Sequence, residues 1–290
     1  MSAQIPEAFA QQFADNFMHV AQQQGSRFES AVTVESGIVG MSKSINRLGQ
    51  RTASQRLNRH ADTPLNDQPH TTRFVDLYDW EDGDMIDDLD KVRMLVDPQS
   101  DYVKAMVNAL NRAKDSVIIS ALGGSARSGA SSTVALPSTQ KILVDGTNGL
   151  TKAKLIAARA LFRKNECDEE AGEELYLAYG NVQLQNLLTD TTLTNSEINT
   201  VLSLQAGNIQ GAKLFGFNMI PSERQIRSGN TRYCYAWAKS GVVLGVGRDV
   251  QVDVGKDPGK GFNTRVYAKM AIGAVRVEEE KVVEIACYEA

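Results

Sequence analysis

Acidic side chains form the densest group of potentially reactive residues in this sequence. Between positions 76 and 90 eight carboxylates occur with no basic residue among them: Asp76, Asp79, Glu81, Asp82, Asp84, Asp87, Asp88 and Asp90. Loops that bind Ca²⁺ through carboxylates at fixed spacing end with a glutamate at the twelfth position. Counted from Asp79, that position is not a glutamate. The pattern therefore predicts a solvated acidic surface, or a partner for basic residues, and no metal site.

The other residue types that could do chemistry occur in incomplete patterns. The glycine- and serine-rich stretch at residues 123–132 lacks the Gly-Lys-Ser/Thr ending of a phosphate-binding loop, which favours a flexible connector. The histidines, His19, His60 and His70, lie outside the predicted core, and no nucleophile elbow is present. We therefore predict no catalytic residue, no cofactor-binding residue and no metal ligand.

Composition narrows the class of protein. The chain has 290 residues, of which 42% are hydrophobic and 23% charged, as in soluble globular proteins. Its net charge of −4 argues against a general nucleic-acid-binding protein. No apolar run is long enough to span a membrane, and residues 1–7 lack a signal-peptide pattern. Cys167, Cys234 and Cys287 are odd in number and far apart, which predicts free thiols in a reducing cytoplasm.

A basic segment precedes the acidic one. Residues 36–61 contain no acid but five cations: Lys43, Arg47, Arg51, Arg56 and Arg59. Strand-like residues flank this segment, at 28–39 before it and from Arg73 after it. The arrangement predicts an extended two-stranded loop, which cannot bury a core of its own and must lie on something else.

Two long elements provide the frame for these charged segments. Residues 97–119 form the clearest helix, with Asp97 as N-cap, Pro98 at the first helical position and an apolar stripe that includes Met106 and Leu110. Its length would be about 30 Å at 1.5 Å per residue. Residues 263–272 alternate strictly between apolar and polar side chains, which predicts a long strand that Gly273 interrupts at a bulge.

The remaining segments predict a mixture of helices and antiparallel strands. Residues 6–24 have the spacing of an amphipathic helix, and helices are also predicted at 150–164 and 182–188, with a capping box at 194–197. Strands are predicted at 174–179, 213–220, 233–238, 242–246 and 249–254. Helices followed by antiparallel strands indicate an α+β fold.

Several segments of this chain resemble the major capsid proteins of tailed bacteriophages with the Hong Kong 97-type fold. They are residues 150–161 (LTKAKLIAARAL), 174–179 (ELYLAY), 186–190 (NLLTD), 213–217 (KLFGF), 268–277 (AKMAIGAVRV) and 282–285 (VVEI). The order of the predicted elements along the chain is similar as well.

The resemblance implies a division into four parts. Residues 1–27 would be the N-terminal arm and 28–80 the extended loop. Residues 81–135 and 255–290 would form the peripheral domain with the spine helix at 97–119, and residues 136–254 the axial domain. Some relatives cross-link a lysine of the extended loop to an asparagine of a neighbour. Lys43 is the only lysine before Lys91, and no asparagine partner can be matched, so we do not carry the cross-link over.

The function implied by the resemblance is structural. Copies of the chain would assemble as hexamers and pentamers into an icosahedral shell around double-stranded DNA, inside the host bacterial cytoplasm and then in the virion. Further implied partners are a separate scaffolding protein, a portal at one vertex and DNA contacted non-specifically, with room for a cement protein. Alternatives are an encapsulin-type compartment shell of the same fold, a cytoplasmic α+β enzyme, and a small oligomeric binding module.

The separation of charge predicts where neighbouring subunits meet. An extended loop cannot easily fold back on the segment at its own base, but it can lie across a neighbour. We therefore expect basic loop residues to contact acids of an adjacent subunit, the candidates being Arg47, Arg51, Arg56 and Arg59 on one side and Asp82, Asp84, Asp87 and Asp88 on the other. The alternative is that both runs are simply solvated.

Overall fold

The computed structural model describes residues 22–53, 55, 59, 65, 67–86, 99–129, 131–189 and 213–289. The chain divides into two compact units. The smaller unit comprises Met1–Gly25, Asp79–Arg112 and Asp249–Met270. The larger unit comprises Ser26–Tyr78, Ala113–Arg248 and Ala271–Ala290.

The described residues form three α-helices and fifteen strands, and the last seven strands follow one another without an α-helix between them. In chain order they are β1 (Thr33–Ser36), β2 (Ser42–Leu48), β3 (His70–Asp76), β4 (Tyr78–Ile86), α1 (Gln99–Gly123), β5 (Ala126–Ser128), β6 (Ser132–Val134), β7 (Lys141–Ile142), α2 (Lys152–Lys164), β8 (Leu175–Tyr179), α3 (Asn181–Thr189), β9 (Lys213–Leu214), β10 (Phe217–Pro221), β11 (Arg227–Ser228), β12 (Thr231–Ala238), β13 (Val242–Asp257), β14 (Asn263–Arg276) and β15 (Val282–Tyr288).

A mixed sheet forms the centre of the larger unit. Its strand order is β7-β15-β12-β8-β10-β9, and β11 pairs with β12. Strand β12 is antiparallel to both of its main neighbours, with Ala236 opposite Val283 of β15 and Leu177 of β8. Apolar residues of α2 at helical spacing, Leu155 and Phe162 among them, are fully buried in the same core cluster as these strands. Burial of this helix face stabilises the sheet that carries it.

The last long strand has the alternation predicted from the sequence. Along β14 the side chains of Val266, Ala268, Met270 and Ile272 are buried, whereas Arg265 is exposed. Among the described residues of the smaller unit the strand order is β13-β14-β4, so β4 is the edge strand there. Of the apolar stripe predicted for the long helix, Met106 and Leu110 are buried, whereas Val103, Val107, Ala113 and Val117 are half-buried.

Several predicted boundaries were wrong for local reasons. The single strand predicted at 213–220 is two antiparallel strands, because Phe215 and Gly216 form a tight turn with φ angles of 50° and 82°. The strands predicted at 242–246 and 249–254 are one strand, β13, in which Gly247 makes room for Leu77. Helix α1 extends to Gly123, four residues beyond the predicted end. The capping box at 194–197 and most of the arm helix at 6–24 lie outside the described residues.

Candidate functional site: the extended hairpin and the acidic edge strand

The predicted two-stranded loop is an antiparallel hairpin formed by β2 and β3. Ile45 lies opposite Arg73, and Arg47 lies opposite Thr71. Pairing continues past β2, since the amide of Gly49 donates to the carbonyl of Pro69 at 2.8 Å. Two strands alone have too little core to be stable in water, so the hairpin depends on contacts with the rest of the larger unit.

The lower half of the hairpin, residues 42–45 and 73–76 at its base, is packed on the rest of the larger unit. Ile45 packs against a buried cluster that includes Val75 and Val275. The guanidinium of Arg127 in β5 lies over the ring of Phe74, 5.2 Å from its centre, and its Nη1 is 2.5 Å from Oδ1 of Asp76. These contacts come from apolar packing, a cation–π interaction and an ion pair, and together they orient the base of β3.

Two arginines of the hairpin meet one buried carboxylate. Glu279 follows β14, and its Oε1 accepts from Arg73 Nη2 at 2.8 Å while its Oε2 accepts from Arg47 Nη1 at 3.3 Å. Arg47, predicted to contact a neighbouring subunit, thus pairs with an acid of its own chain. A contact of Arg47 with a neighbouring subunit stays a prediction. It would require Arg47 to leave Glu279 and pair with an acid of that subunit.

Beyond Arg47 the hairpin exposes apolar and basic side chains. Leu48 is 68% exposed and Leu65 is 93% exposed. Arg51 and Arg59 are exposed as well, whereas Arg56 lies outside the described residues. A projecting segment with exposed large apolar residues is typical of a surface that a partner covers.

The acidic run continues along the edge strand β4. Asp84 is exposed and Asp82 is half-buried, while Asp87 and Asp88 lie outside the described residues. Charged side chains on an edge strand oppose pairing with further strands. The acids of β4 are therefore available on the surface of the smaller unit, as the sequence predicted, but they are not drawn into a cluster.

One acid of β4 has a defined partner within the smaller unit. Oε2 of Glu81 accepts from the hydroxyl of Tyr267 at 2.7 Å, and this hydrogen bond raises the pKa of Tyr267. The same ring lies between two cations of β14, with the guanidinium carbon of Arg265 4.8 Å and Nζ of Lys269 5.7 Å from its centre. Lys269 also pairs with Asp253 of β13 at 3.3 Å. This exposed stripe is an ordered ladder of charges across the three strands.

The start of the larger unit is fixed by a buried carboxylate that the sequence did not single out. Asp115 of α1 is fully buried and accepts from Ser26 Oγ at 2.5 Å and from the amide of Arg27 at 3.1 Å. The ring of Phe28, also fully buried, lies edge-on to Trp237 at 5.7 Å. Asp115 shares a helix face with the buried Ile118 and Ile119, and a carboxylate on that apolar face was the available signal for this anchor.

Arg276 is the second functional residue that sequence reasoning missed. It is fully buried in β14, where its guanidinium donates to the carbonyls of Leu122 and Gly124 at the end of α1, at 2.8 and 2.7 Å, and to Val134 at 3.0 Å. These bonds occupy carbonyls that have no partner within a helix end. The signal in the sequence was a single cation within the apolar run at residues 274–277.

Metal-ion sites and membrane-spanning helices are both absent from the described residues. Among them, no group of three or more His, Cys, Asp or Glu could hold a metal ion, and no helix is long and apolar enough to cross a membrane. The three cysteines are buried and free. Burial raises the pKa of Cys167, so this thiol is a poor nucleophile.

Comparison with known proteins gives the family. Residues 5–289 match the phage capsid protein family. No curated protein sequence gives a match.

Solved structures with the same fold are phage and particle capsids. The capsid of the cyanophage P-SCSP1u is 18% identical over 100% of this chain and 95% of that chain, with a TM-score of 0.71. The structure from Mycobacterium phage Che8 is 17% identical over 96% of this chain and 97% of that chain, with a TM-score of 0.72. The capsid of a native GTA particle is 11% identical over 99% and 98%, with a TM-score of 0.69.

These findings confirm the Hong Kong 97-type fold and the structural role predicted from the sequence, and they do not favour the encapsulin-type alternative. With a family match across nearly its whole length, this chain belongs to the phage capsid protein family and is a tailed-phage major capsid protein.

Proposed function

We propose that copies of this capsid protein assemble as hexamers and pentamers into an icosahedral shell that encloses double-stranded DNA. The observation that supports this most directly is the hairpin, whose lower half is packed on the larger unit while Leu48 and Leu65 are left exposed. A subunit that uses such a hairpin to reach a neighbour, which in turn reaches the next, forms a ring through one repeated contact.

Further partners follow from this role. A separate scaffolding protein guides closure, a portal occupies one vertex, and assembly takes place in the cytoplasm of the bacterial host; a cement protein is compatible with the shell. The net charge of −4 is consistent with a shell that contacts packaged DNA non-specifically and without tight binding.

Assembly can be tested by expressing the chain with and without a candidate scaffolding protein from the same phage. We expect closed shells in negative-stain micrographs and a sedimentation boundary far above that of the 31.6 kDa subunit. Compact monomers alone, with scaffold present, would contradict the proposal. Particles that hold a cargo enzyme in place of DNA, when produced during infection, would instead support the compartment alternative.

We further propose that the exposed cations of the hairpin contact the acids of β4 on an adjacent subunit. Arg51 and Arg59 are the described candidates on one side, and Asp82 and Asp84 on the other. Each exposed pair contributes only about 0–1 kcal/mol, but the contact repeats around a ring and penalises wrong register. Arg56, Asp87 and Asp88 belong to the same proposal.

Charge reversal separates this contact from simple solvation of both runs. Replacing Arg51 and Arg59 with glutamate should reduce shell yield and leave the circular dichroism spectrum of the subunit unchanged. Adding Asp82→Lys and Asp84→Lys should restore part of the yield. If the first double variant assembles normally with unchanged salt dependence, both charged runs are merely solvated.

A further inference from the structure

We propose that Glu279 is a latch that sets the direction of the hairpin, because its buried carboxylate holds both strands of the hairpin against the rest of the larger unit. The consequence for shell formation rests on the proposed function, but the latch itself is a property of the single subunit.

The carboxylate of Glu279 is divided between the two strands. Oε1 is 2.8 Å from Nη2 of Arg73 in β3, and Oε2 is 3.3 Å from Nη1 of Arg47 in β2. Glu279 is only 8% exposed and Arg73 only 5% exposed, so water does not screen these pairs as it would on the surface. Each strand of the hairpin is thereby tied separately to one short segment after β14.

A third arginine joins the latch to the frame of the larger unit. Nε of the fully buried Arg276 is 4.0 Å from Oε1 of Glu279. Burial lowers the pKa of Arg276, and the nearby carboxylate of Glu279 acts in the opposite direction. Because Arg276 also binds the carbonyls of Leu122 and Gly124, the hairpin, the carboxylate and the end of α1 form one connected polar network.

Few other charges can substitute for Glu279. Glu278 has Oε1 3.9 Å from Nε of Arg47, but its Oε2 is 3.2 Å from Nζ of Lys281, which is also paired with Glu173 at 2.9 Å. Within the part of the chain that the structure describes, Nε of Arg47, Arg73 and Arg276 is buried and lacks a hydrogen-bond acceptor. Arg47 and Arg73 thus depend mainly on the carboxylate of Glu279, which also lies near the buried Arg276.

Glu279 contacts the hairpin between its packed base and its exposed residues. Toward the base, Ile45 and Phe74 are packed against the larger unit. The next residue after Arg47 is Leu48, which is 68% exposed. Loosening the pair between Arg47 and Glu279 would therefore loosen the adjoining residues 46–49 and 70–72 without unpacking the base. In the shell, the latch would aim Arg51 and the residues beyond it at a neighbour.

The test is hydrogen–deuterium exchange on the unassembled subunit with Arg47→Gln and a matched control. Lys43→Gln removes a cation from the same strand that pairs with Glu35, outside the network. Loss of a charge-assisted hydrogen bond should speed exchange of the amides at 46–49 and 70–72, next to Arg47, by about tenfold in Arg47→Gln. Lys43→Gln should leave exchange there unchanged, and Arg47→Lys should restore part of the protection.

The possible results test the latch proposal independently of the proposed shell function. Unchanged exchange in Arg47→Gln, or an equal increase in Lys43→Gln, would overturn the latch, whatever happens to assembly. Faster hairpin exchange in Arg47→Gln with protection of 118–122 retained would support it, because the base and α1 stay folded while the hairpin loosens. Since the readout precedes assembly, absence of shells would count only against the proposed function.

Discussion

Alanine at position 273 should destabilise the subunit strongly, although the substitution adds a single methyl group. Gly273 lies in β14 beside the backbone of Asp76, and a Cβ there would be 1.9 Å from the carbonyl oxygen and 2.8 Å from the carbonyl carbon. Real Cβ contacts essentially never fall under 3.0 Å, so the two segments would have to separate by more than 1 Å. The clash is with backbone, which cannot rotate away.

The cost follows from what must move. Overpacking of this kind costs about 1–3 kcal/mol, and we expect the upper end because Asp76 is fixed by Arg127 and the amide of Leu77 donates to Met41 at 2.9 Å. A loss of about 3 kcal/mol in the free energy of unfolding corresponds to a fall in Tm of roughly 5 °C for a chain of this length.

Gly255→Ala is the matched control. Gly255 lies in β13 with no atom within 4 Å of an added Cβ and no positive φ. Alanine there should leave stability unchanged or raise it by about 0.4–1 kcal/mol, since it reduces the freedom of the unfolded chain. Urea denaturation of unassembled subunits, followed by circular dichroism, measures both variants. Equal midpoints for Gly273→Ala and the parent chain would refute the close-approach argument.

Other substitutions test the buried polar contacts of the larger unit. Lys154 is buried and donates to three backbone carbonyls at 2.8–3.1 Å, so Lys154→Met should cost about 2–4 kcal/mol in urea denaturation, whereas Lys152→Met should stay within about 0.5 kcal/mol. Although burial opposes it, the guanidinium of Arg232 holds the pKa of Glu289 below its usual range, so the stability from this pair is present above the unfolded pKa and is lost as pH falls through the folded one. Between pH 6 and 3 the urea midpoint should therefore fall less steeply in Glu289→Gln than in the parent; equal slopes would contradict this. The three buried cysteines should react with iodoacetamide only on unfolding, as mass spectrometry would show.

Periodicity in the sequence predicted the long elements well. The alternation from Val266 to Ile272 corresponds to one buried face of β14, and Met106 and Leu110 of the predicted stripe are buried in α1. Such patterns are readable because side-chain direction repeats with period two in a strand and 3.6 in a helix. The hairpin was predictable as well, because two strand-like segments flank a polar one.

The same reasoning was wrong where the local structure is set by contact with a distant segment of the same chain. Gly273 does not interrupt β14; it is required because the backbone of Asp76 passes close by. Helix α1 ends later than predicted, because the guanidinium of Arg276 donates hydrogen bonds to the carbonyls at its end. In neither case could the partner be predicted from a local pattern, because each contact joins segments more than 150 residues apart.

The sequence by itself determined which segments are charged, which are apolar and in what order they follow one another. That was enough to indicate an α+β fold, and the resemblance of several segments to phage capsid proteins indicated the role of a shell subunit. Only the tertiary structure decided which charges pair. Arg47 and Glu279 are 232 positions apart, and nothing in either segment distinguishes this acid from the run at β4. An ion pair depends on the distance between two groups and on their burial, and both are set by how the chain folds.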